Sequence, residues 1–508
     1  MTVDAQDLAP SGPEESRSRP PLLGTPRRRA AYVSVVTLCA ALITLPFTGG
    51  RSLWQDESVS VMLARLDWAS FTDIVTAREG NMGLHSLLLR GWVSLGSDEV
   101  TVRVLSVLLA LAAVPVFYLL VVRLFGTRTA LLATPLLVVN GMFVQYAQEA
   151  RGYSLLLLVV TSSSYLFVRG VEQPTRAVWL GYAVAAALGL YAHYLGALVP
   201  VAHAASLLFL PRARIPWHRL AEAAALLLVL VTPLVVLVTG AQSAGLEWAA
   251  ESAAGRAVEG VRDLLPRSVG AVLAVAAIVF VGVVVARLRR QDRIGTSMSS
   301  WKLAFVVSWL VVPILLIGFV SYLYKPLLVV RYFIIVLPPL VALVAWAVTR
   351  LRRRAFVLAV TTVLVISAGT AAVWYRNPEV EDWRGVTSYL ADEARPGDGV
   401  LLTPPFVRVP FEYSLEPSTA ELVEPVFPSH DWGVDPERAI GFVPIEASQV
   451  SPAAEPFDRV WLVARSALAD DEQRAAREGL SDDFVPVDER TFSGVDVTLY
   501  ERVSADGS

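Results

Sequence analysis

From residue 30 onward the chain alternates between long apolar runs and short polar turns. The runs fall at 30–47, 101–125, 129–146, 153–168, 177–191, 195–210, 220–239, 269–286, 303–322, 329–348 and 356–373. Each approaches the length of helix that a hydrocarbon layer demands, so the pattern predicts a polytopic α-helical membrane protein with about eleven transmembrane helices. Residues 1–29 are rich in Pro, Ser, Glu and Arg without an apolar period, and are expected to form a disordered cytoplasmic tail. The run at 30–47 follows that tail and has no small-residue cleavage site before the next charged segment, so it reads as a retained signal anchor.

The polar turns supply an orientation. Placing the N-terminus in the cytoplasm puts Arg123 and Arg128, Arg169 and Arg176, then Arg212, Arg214 and Arg219 in successive cytoplasmic turns. The clusters at 287–293 and 350–354 follow the same alternation, as the positive-inside bias requires. The membrane part is then 30–375, with a long first outer loop at 49–100. Beyond it, 376–508 changes to a soluble composition with short strands at 399–402, 459–464 and 495–501 and helices at 382–394 and 467–479. This segment is expected to be a small C-terminal extracytoplasmic α/β domain. No internal repeat of the secondary-transporter kind is visible in the membrane part.

Composition agrees with a membrane protein: of 508 residues, 55% are hydrophobic and only 18% charged. A net charge of -3 leaves no basic excess to displace counterions from nucleic acid, which excludes that class of partner. The single cysteine, Cys39, permits neither an intrachain disulfide nor a cysteine metal site. Arginine almost replaces lysine, with Lys302 and Lys325 the only lysines. Together with abundant Ala and Val, this points to a GC-rich bacterial genome and a bacterial plasma membrane.

Charges at membrane depth cost about 2.5 to 3.5 kcal/mol each at a helix centre on one scale, so their placement is informative. Asp56 and Glu57, in LWQDESVS, lie in the first outer loop. Gln148, Glu149, Arg151 and Tyr153, in YAQEARGYS, fall in the next outer turn. His193 and Tyr194, in YAHYLG, occupy another, and Arg331 and Tyr332, in YKPLLVVRYF, a fourth. Taken singly, each has a plain structural reading. Asp56 would cap a helix beginning at Glu57, Glu149 and Arg151 would form a surface pair, Arg331 would snorkel, and the tyrosines would join the interfacial belt. Four returns to one outer surface, each bearing ionisable or aromatic groups, are explained together by one cavity.

These segments resemble the polytopic C-type glycosyltransferases, in the family 39 branch of protein O-mannosyltransferases and lipid A aminoarabinose transferases. The residues that carry the resemblance are the acidic pair Asp56 and Glu57, QEARGYSLLLL at 148–158, AHY at 192–194, RYFIIVLPPL at 331–340 and EDWRGVTSYL at 381–390. It covers about 30–402 and implies a polyprenyl-phosphate-linked sugar donor used on the outer face with inversion. The aminoarabinose transferases carry a Gly-Lys-Pro-Pro segment later in the first loop. The corresponding region here, AREGNMGLHSLLLRGW, has neither the lysine nor the prolines. In an actinobacterial-looking branch, the sugar would be mannose or arabinose on a decaprenyl carrier, and the acceptor a cell-envelope glycan, a glycolipid or a secreted protein.

The residue types suit that chemistry independently. A sugar phosphate has a good leaving group, so the tasks are to activate an acceptor hydroxyl and to stabilise the departing phosphate. Asp56 is the expected general base, with Glu149 as a second carboxylate. Glu57, turned about 100 degrees away on a helix, is expected to orient its surroundings, although exchanging the two roles is an alternative. Arg331 and Arg151 are candidate phosphate ligands, and Tyr153, His193, Tyr194 and Tyr332 candidate pocket walls. Glu79 and His85 share the first loop and are either further substrate contacts or ligands to a divalent cation; two such ligands leave metal binding open. Apolar positions at helical spacing within 246–265 mark a candidate interfacial segment. The competing classes are a lipid-linked-sugar flippase, which would place polar groups along a path through the membrane, and a non-catalytic scaffold binding the same lipid.

Overall fold

The computed structural model describes residues 25–77, 80–240, 297–323, 329–376, 380–429, 446–466 and 471–503. Glu79, Lys325, the tail before residue 25, the segment 246–265, and the span at 269–286 with its basic turn lie outside the described residues.

The first apolar run forms α1 (Pro26–Thr44), continued by a 3-10 turn to Phe47. The long loop that follows is itself helical, with α2 (Gln55–Arg65), α3 (Trp68–Ala77) and α4 (Gly83–Trp92). The bundle continues with α5 (Glu99–Phe125), α6 (Thr127–Val138), α7 (Gly141–Ala147), α8 (Tyr153–Glu172), α9 (Arg176–Ala192), α10 (Leu198–Ser206) and α11 (Trp217–Gly240). After the undescribed stretch come α12 (Met298–Leu323), α13 (Leu337–Val348) and α14 (Arg353–Arg376).

Among the described residues seven helices are long and apolar enough to cross a membrane, or eight if α6 and α7 count as one span. The run at 129–146 is therefore not a straight helix: it bends by 55° between α6 and α7, where Asn140 caps α7 through Met142 N–H at 3.0 Å. Asn is a strong helix initiator, and its side chain competes with a continuous α-helical ladder. The run at 177–191 forms a shorter helix that ends at His193, whose extended backbone (φ -169°, ψ 137°) breaks α9. The chain is a multi-pass membrane protein.

Helix packing in a bilayer cannot rely on hydrophobic transfer and depends on close contact. Gly170 on α8 lets the Trp179 ring of α9 approach, its indole N–H donating to the Gly170 carbonyl at 3.2 Å. Phe117, Phe167, Trp179, Trp301, Phe305 and Trp309 fill the shared core.

Beyond the bundle lie α15 (Trp383–Glu393), β1 (Asp398–Thr403), α16 (Arg408–Ser414), β2 (Val423–Phe427), α17 (Ala447–Ala454), β3 (Arg459–Arg465), α18 (Asp471–Ser481), β4 (Phe484–Phe492) and β5 (Val495–Arg502). They form one sheet in the order β2-β1-β3-β5-β4, parallel from β2 to β3 and antiparallel from β3 to β4. Helices α15 and α16 cover one face over Trp461, Val463 and Val497, and α17 and α18 the other over Leu401, Leu462 and Tyr500. With both faces covered, the central strands read as continuous apolar runs, which is why they are visible in the sequence. The two edge strands, VEPVF and FVPVDERTF, carry a proline each and exposed charges, as edge strands do, and the sequence pattern misses them.

Candidate active site

The acidic pair sits in the first turn of α2. The helix starts two residues earlier than the capping reading requires: Trp54 is the N-cap, without a side-chain hydrogen bond, and Asp56 lies within the first turn. Asp56 is therefore not a cap, and its carboxylate is available for other contacts. Being neighbours on a helix, Asp56 and Glu57 diverge.

Glu57 turns inward and is 1% exposed. Its carboxylate receives a bidentate fork from Arg103 on α5, Nε to Oε1 at 2.8 Å and Nη2 to Oε2 at 2.6 Å. Oε1 also accepts the Ala150 N–H at 2.8 Å. The remaining donors of Arg103 satisfy the carbonyls of Thr48, Arg51 and Ser52 at 2.7 to 2.9 Å. This fully saturated pair fixes three segments together: the exit of α1, α2, and the turn carrying EARGYS. Arg103 escaped sequence reasoning because a lone arginine in the first turns of an apolar span reads as an interfacial anchor; an arginine within a predicted span, one loop after an acidic pair, was the available signal.

Asp56 faces the other way and is 27% exposed. Arg331 Nη1 donates to its Oδ2 at 2.9 Å, and Arg151 Nη2 lies 3.6 Å from the same oxygen. Arg151 is held to α2 through Nη1, which donates to the Asp56 carbonyl at 3.1 Å and to Ser60 Oγ at 3.0 Å. Arg331 reaches the site from a 3-10 helix, Val330–Val336, just before α13. Pro338 and Pro339 lack the N–H groups an α-helix through Ile334 and Ile335 would need, so the backbone tightens there. Neither arginine behaves as the sequence readings of a snorkelling anchor or a Glu149 partner expected.

Glu149 is buried, and Gln145 Nε2 donates to its Oε1 at 2.9 Å. Burial, reinforced by the nearby Glu57 carboxylate, pushes its carboxyl up to about 8, so it is largely protonated at neutral pH. Two guanidiniums thus surround one open carboxylate, Asp56, while Glu149 is neutral and Glu57 is matched by Arg103. The pocket carries an excess of positive charge, the condition for accepting an anion such as a phosphate.

Aromatic groups close one side. His193 packs edge-on to Tyr332, ring centroids 5.3 Å apart, and against Tyr153 at 6.2 Å, while Tyr146 meets Tyr153 at 4.8 Å. The AHY turn is tight: a Cβ on Gly196 would collide with the Gly189 carbonyl. His193 Nδ1 accepts the Leu195 N–H at 3.1 Å, and its Nε2 is 3.4 Å from Asn81 Nδ2. Asn81, also unforeseen, accepts the Tyr194 N–H at 3.2 Å. Tyr194 itself is turned outward, its hydroxyl beside Gly80, and does not join the wall with His193.

His85 on α4 is buried against Gly152 and its Nε2 has no hydrogen-bond partner. Burial, and then Arg151, hold its imidazole down at about 3, so it is neutral. Among the described residues no group of three or more His, Cys, Asp or Glu is placed to hold a metal ion, and the proposed partner Glu79 lies outside them. Gln148 tethers the bundle instead: its Nε2 donates to the Thr44 carbonyl at 2.9 Å, and its Oε1 accepts from Trp374 Nε1 at 2.8 Å.

A sequence profile of the family described as dolichyl-phosphate-mannose-protein mannosyltransferase matches residues 84–238, from α4 to α11. No curated protein matches the sequence. By structure the chain is similar to ArnT from Cupriavidus metallidurans bound to undecaprenyl phosphate, with a TM-score of 0.58 at 14% identity over 92% of this chain and 98% of that one. The apo state of the same protein gives 0.58 and 14% over 93% and 98%. The archaeal oligosaccharyltransferase AglB from Archaeoglobus fulgidus, in complex with an inhibitory peptide and a dolichol-phosphate, gives 0.47 at 11% identity over 94% of this chain and 74% of that one.

Proposed function

From a chain with the membrane fold of the C-type glycosyltransferases, we propose an enzyme that transfers a sugar from a polyprenyl-phosphate donor to a cell-envelope acceptor on the extracytoplasmic face. The observation that carries this reading is the Asp56 carboxylate, part-exposed and held 2.9 Å from Arg331 and 3.6 Å from Arg151. One open base beside two phosphate-binding forks is what displacement at a phosphate-linked anomeric carbon requires. Asp56 takes the acceptor hydroxyl proton as the new C–O bond forms. The bond to the phosphate oxygen breaks, and the two guanidiniums stabilise the growing charge on the phosphate. A single displacement inverts the anomeric carbon.

Neutral Glu149 positions the acceptor or donates a hydrogen bond, and Tyr153, His193 and Tyr332 line the sugar pocket. The ArnT structure with undecaprenyl phosphate supports a polyprenyl carrier. The basic residues favour an outward-facing site, because Arg123, Arg128, Arg176, Arg219, Lys302 and Arg350 lie at the ends of helices remote from Asp56. The gathering of charged groups at one end, rather than along a path, favours an enzyme over a flippase.

The test is to incubate the purified full-length chain in lipid with radiolabelled mannose and arabinose polyprenyl phosphates and cell-envelope acceptor fractions. Label should move to acceptor with stoichiometric release of polyprenyl phosphate. No movement from any donor sinks the proposal.

A further inference from the structure

The first turn of α2 has an unusual supply of hydrogen-bond acceptors. A helix needs outside partners for its leading N–H groups, and a Ser, Thr, Asp or Asn at the N-cap normally provides one. Here the N-cap is Trp54, whose side chain cannot accept. The Gln55 N–H instead donates to Glu381 Oε2 at 3.0 Å, across 326 positions of sequence. Glu381 is 1% exposed, and its carboxylate is oriented by Trp383 Nε1 at 2.8 Å and by an ion pair with Arg465 Nε at 2.9 Å. Arg465 also takes hold of the Gln55 side chain, Nη1 donating to Oε1 at 2.8 Å. Backbone and side chain of Gln55 are thus both gripped from the C-terminal domain, one peptide bond from Asp56.

The place of the grip within that domain fits. Arg465 ends β3 at the carboxyl edge of the parallel strands, beside β1, from which the chain runs first to β2 and then back across to β3. Open sheets of this kind receive ligands at that edge, and here the edge receives Gln55. The domain also meets α2 through Val409 of α16 against Val59 and Leu63, and through the Tyr413 ring, 5.4 Å from the Arg65 guanidinium. Such contacts suffice to dock a domain. The domain also holds Gly49, Ser52 and Glu99 through Arg384 and Ser97 through Tyr413, and its hydrogen bonds to Gln55 fall on the turn that bears Asp56.

We infer that Glu381 and Arg465 are positioning residues for Asp56, so that the C-terminal domain completes the membrane active site by fixing the start of α2. This inference rests on the reading of Asp56 as the base.

The experiment uses the full-length chain in lipid nanodiscs, comparing wild type with Glu381→Ala and Glu381→Gln. The glutamine variant keeps a carbonyl for the Gln55 N–H and guards against a folding failure of the alanine variant. Hydrogen exchange of α2 is followed by mass spectrometry alongside steady-state sugar transfer. In Glu381→Ala, amides at the start of α2 should exchange roughly tenfold faster, as expected for losing a hydrogen bond to a charged group, while β1, β3 and α8 keep their protection. Its kcat should fall on the order of 100-fold, the scale of a small misplacement of a reacting group, with KM for the lipid donor nearly unchanged; Glu381→Gln should fall between. Unchanged α2 exchange, or unchanged kcat in folded Glu381→Ala, overturns the inference. Faster α2 exchange in Glu381→Ala when the wild type itself transfers no sugar upholds the grip on α2 and overturns the proposed function, so the two failures are distinguishable.

Discussion

The two sides of the first turn of α2 carry the same chemistry in opposite conditions. On one side Glu57 meets Arg103 in a dry, saturated fork; on the other Asp56 meets Arg331 and Arg151 at a part-exposed surface. A buried pair whose every oxygen and N–H has a partner holds architecture, because any loss leaves an unpaired charge in a low-dielectric place. A part-exposed carboxylate flanked by arginines keeps contact with solvent and can meet a substrate. Exposure to solvent separates the two acids: Asp56 is 27% exposed and Glu57 1%.

Breaking that contrast should have its largest effect at Asp56. Asp56→Asn removes the base while keeping shape, and transfer from the lipid-linked donor should drop by roughly 10² to 10⁴-fold with an unchanged melting profile. Comparable activity in this variant would return the base role to Glu57. The converse holds at Glu57: Glu57→Ala should lower stability by about 3 to 5 kcal/mol, because Arg103 is left charged and buried. Thermal unfolding in detergent reads this, and a Glu57→Met, Arg103→Met double variant should recover part of the loss. Full stability in the single alanine variant would mean the fork is not structural.

The smallest effect belongs to Glu149, which sharpens the contrast by its protonation. Its folded value of about 8 lies above the ordinary 4.5. Between those values the unfolded chain has released a proton that the folded chain retains, so stability should decline as pH rises through the window and level off above about 8. Glu149→Gln should flatten this part of the melting-temperature profile, and an unaltered slope would assign it to another group.

Much of this was legible in the sequence because membrane physics is strict. Apolar runs marked most helices, and the few polar groups at one set of their ends marked LWQDESVS, QEARGYS, AHY and RYF, most of whose polar residues the fold brings around Asp56. What stayed hidden depended on pairing in three dimensions. Arg103 looks like any arginine at a span's edge until Glu57 is seen against it. Asn81 sits in a segment with no pattern of its own, Arg465 stands one residue past a strand the pattern does show, with nothing to mark its partner, and Tyr194, equal to His193 by sequence, turns away because the extended backbone at His193 redirects the chain. The edge strands were hidden because an edge tolerates the prolines and charges that a pattern search reads as loop.

The grip on Gln55 also sets an order of completion. A ribosome delivers Asp56 first, Arg151 next, and Arg331 275 positions after Asp56. Arg465, 410 positions after Gln55, comes last of all. A chain whose synthesis stops at the end of the bundle has its carboxylate and both guanidiniums but not the acceptor for the first turn of α2, so a late segment finishes an early one.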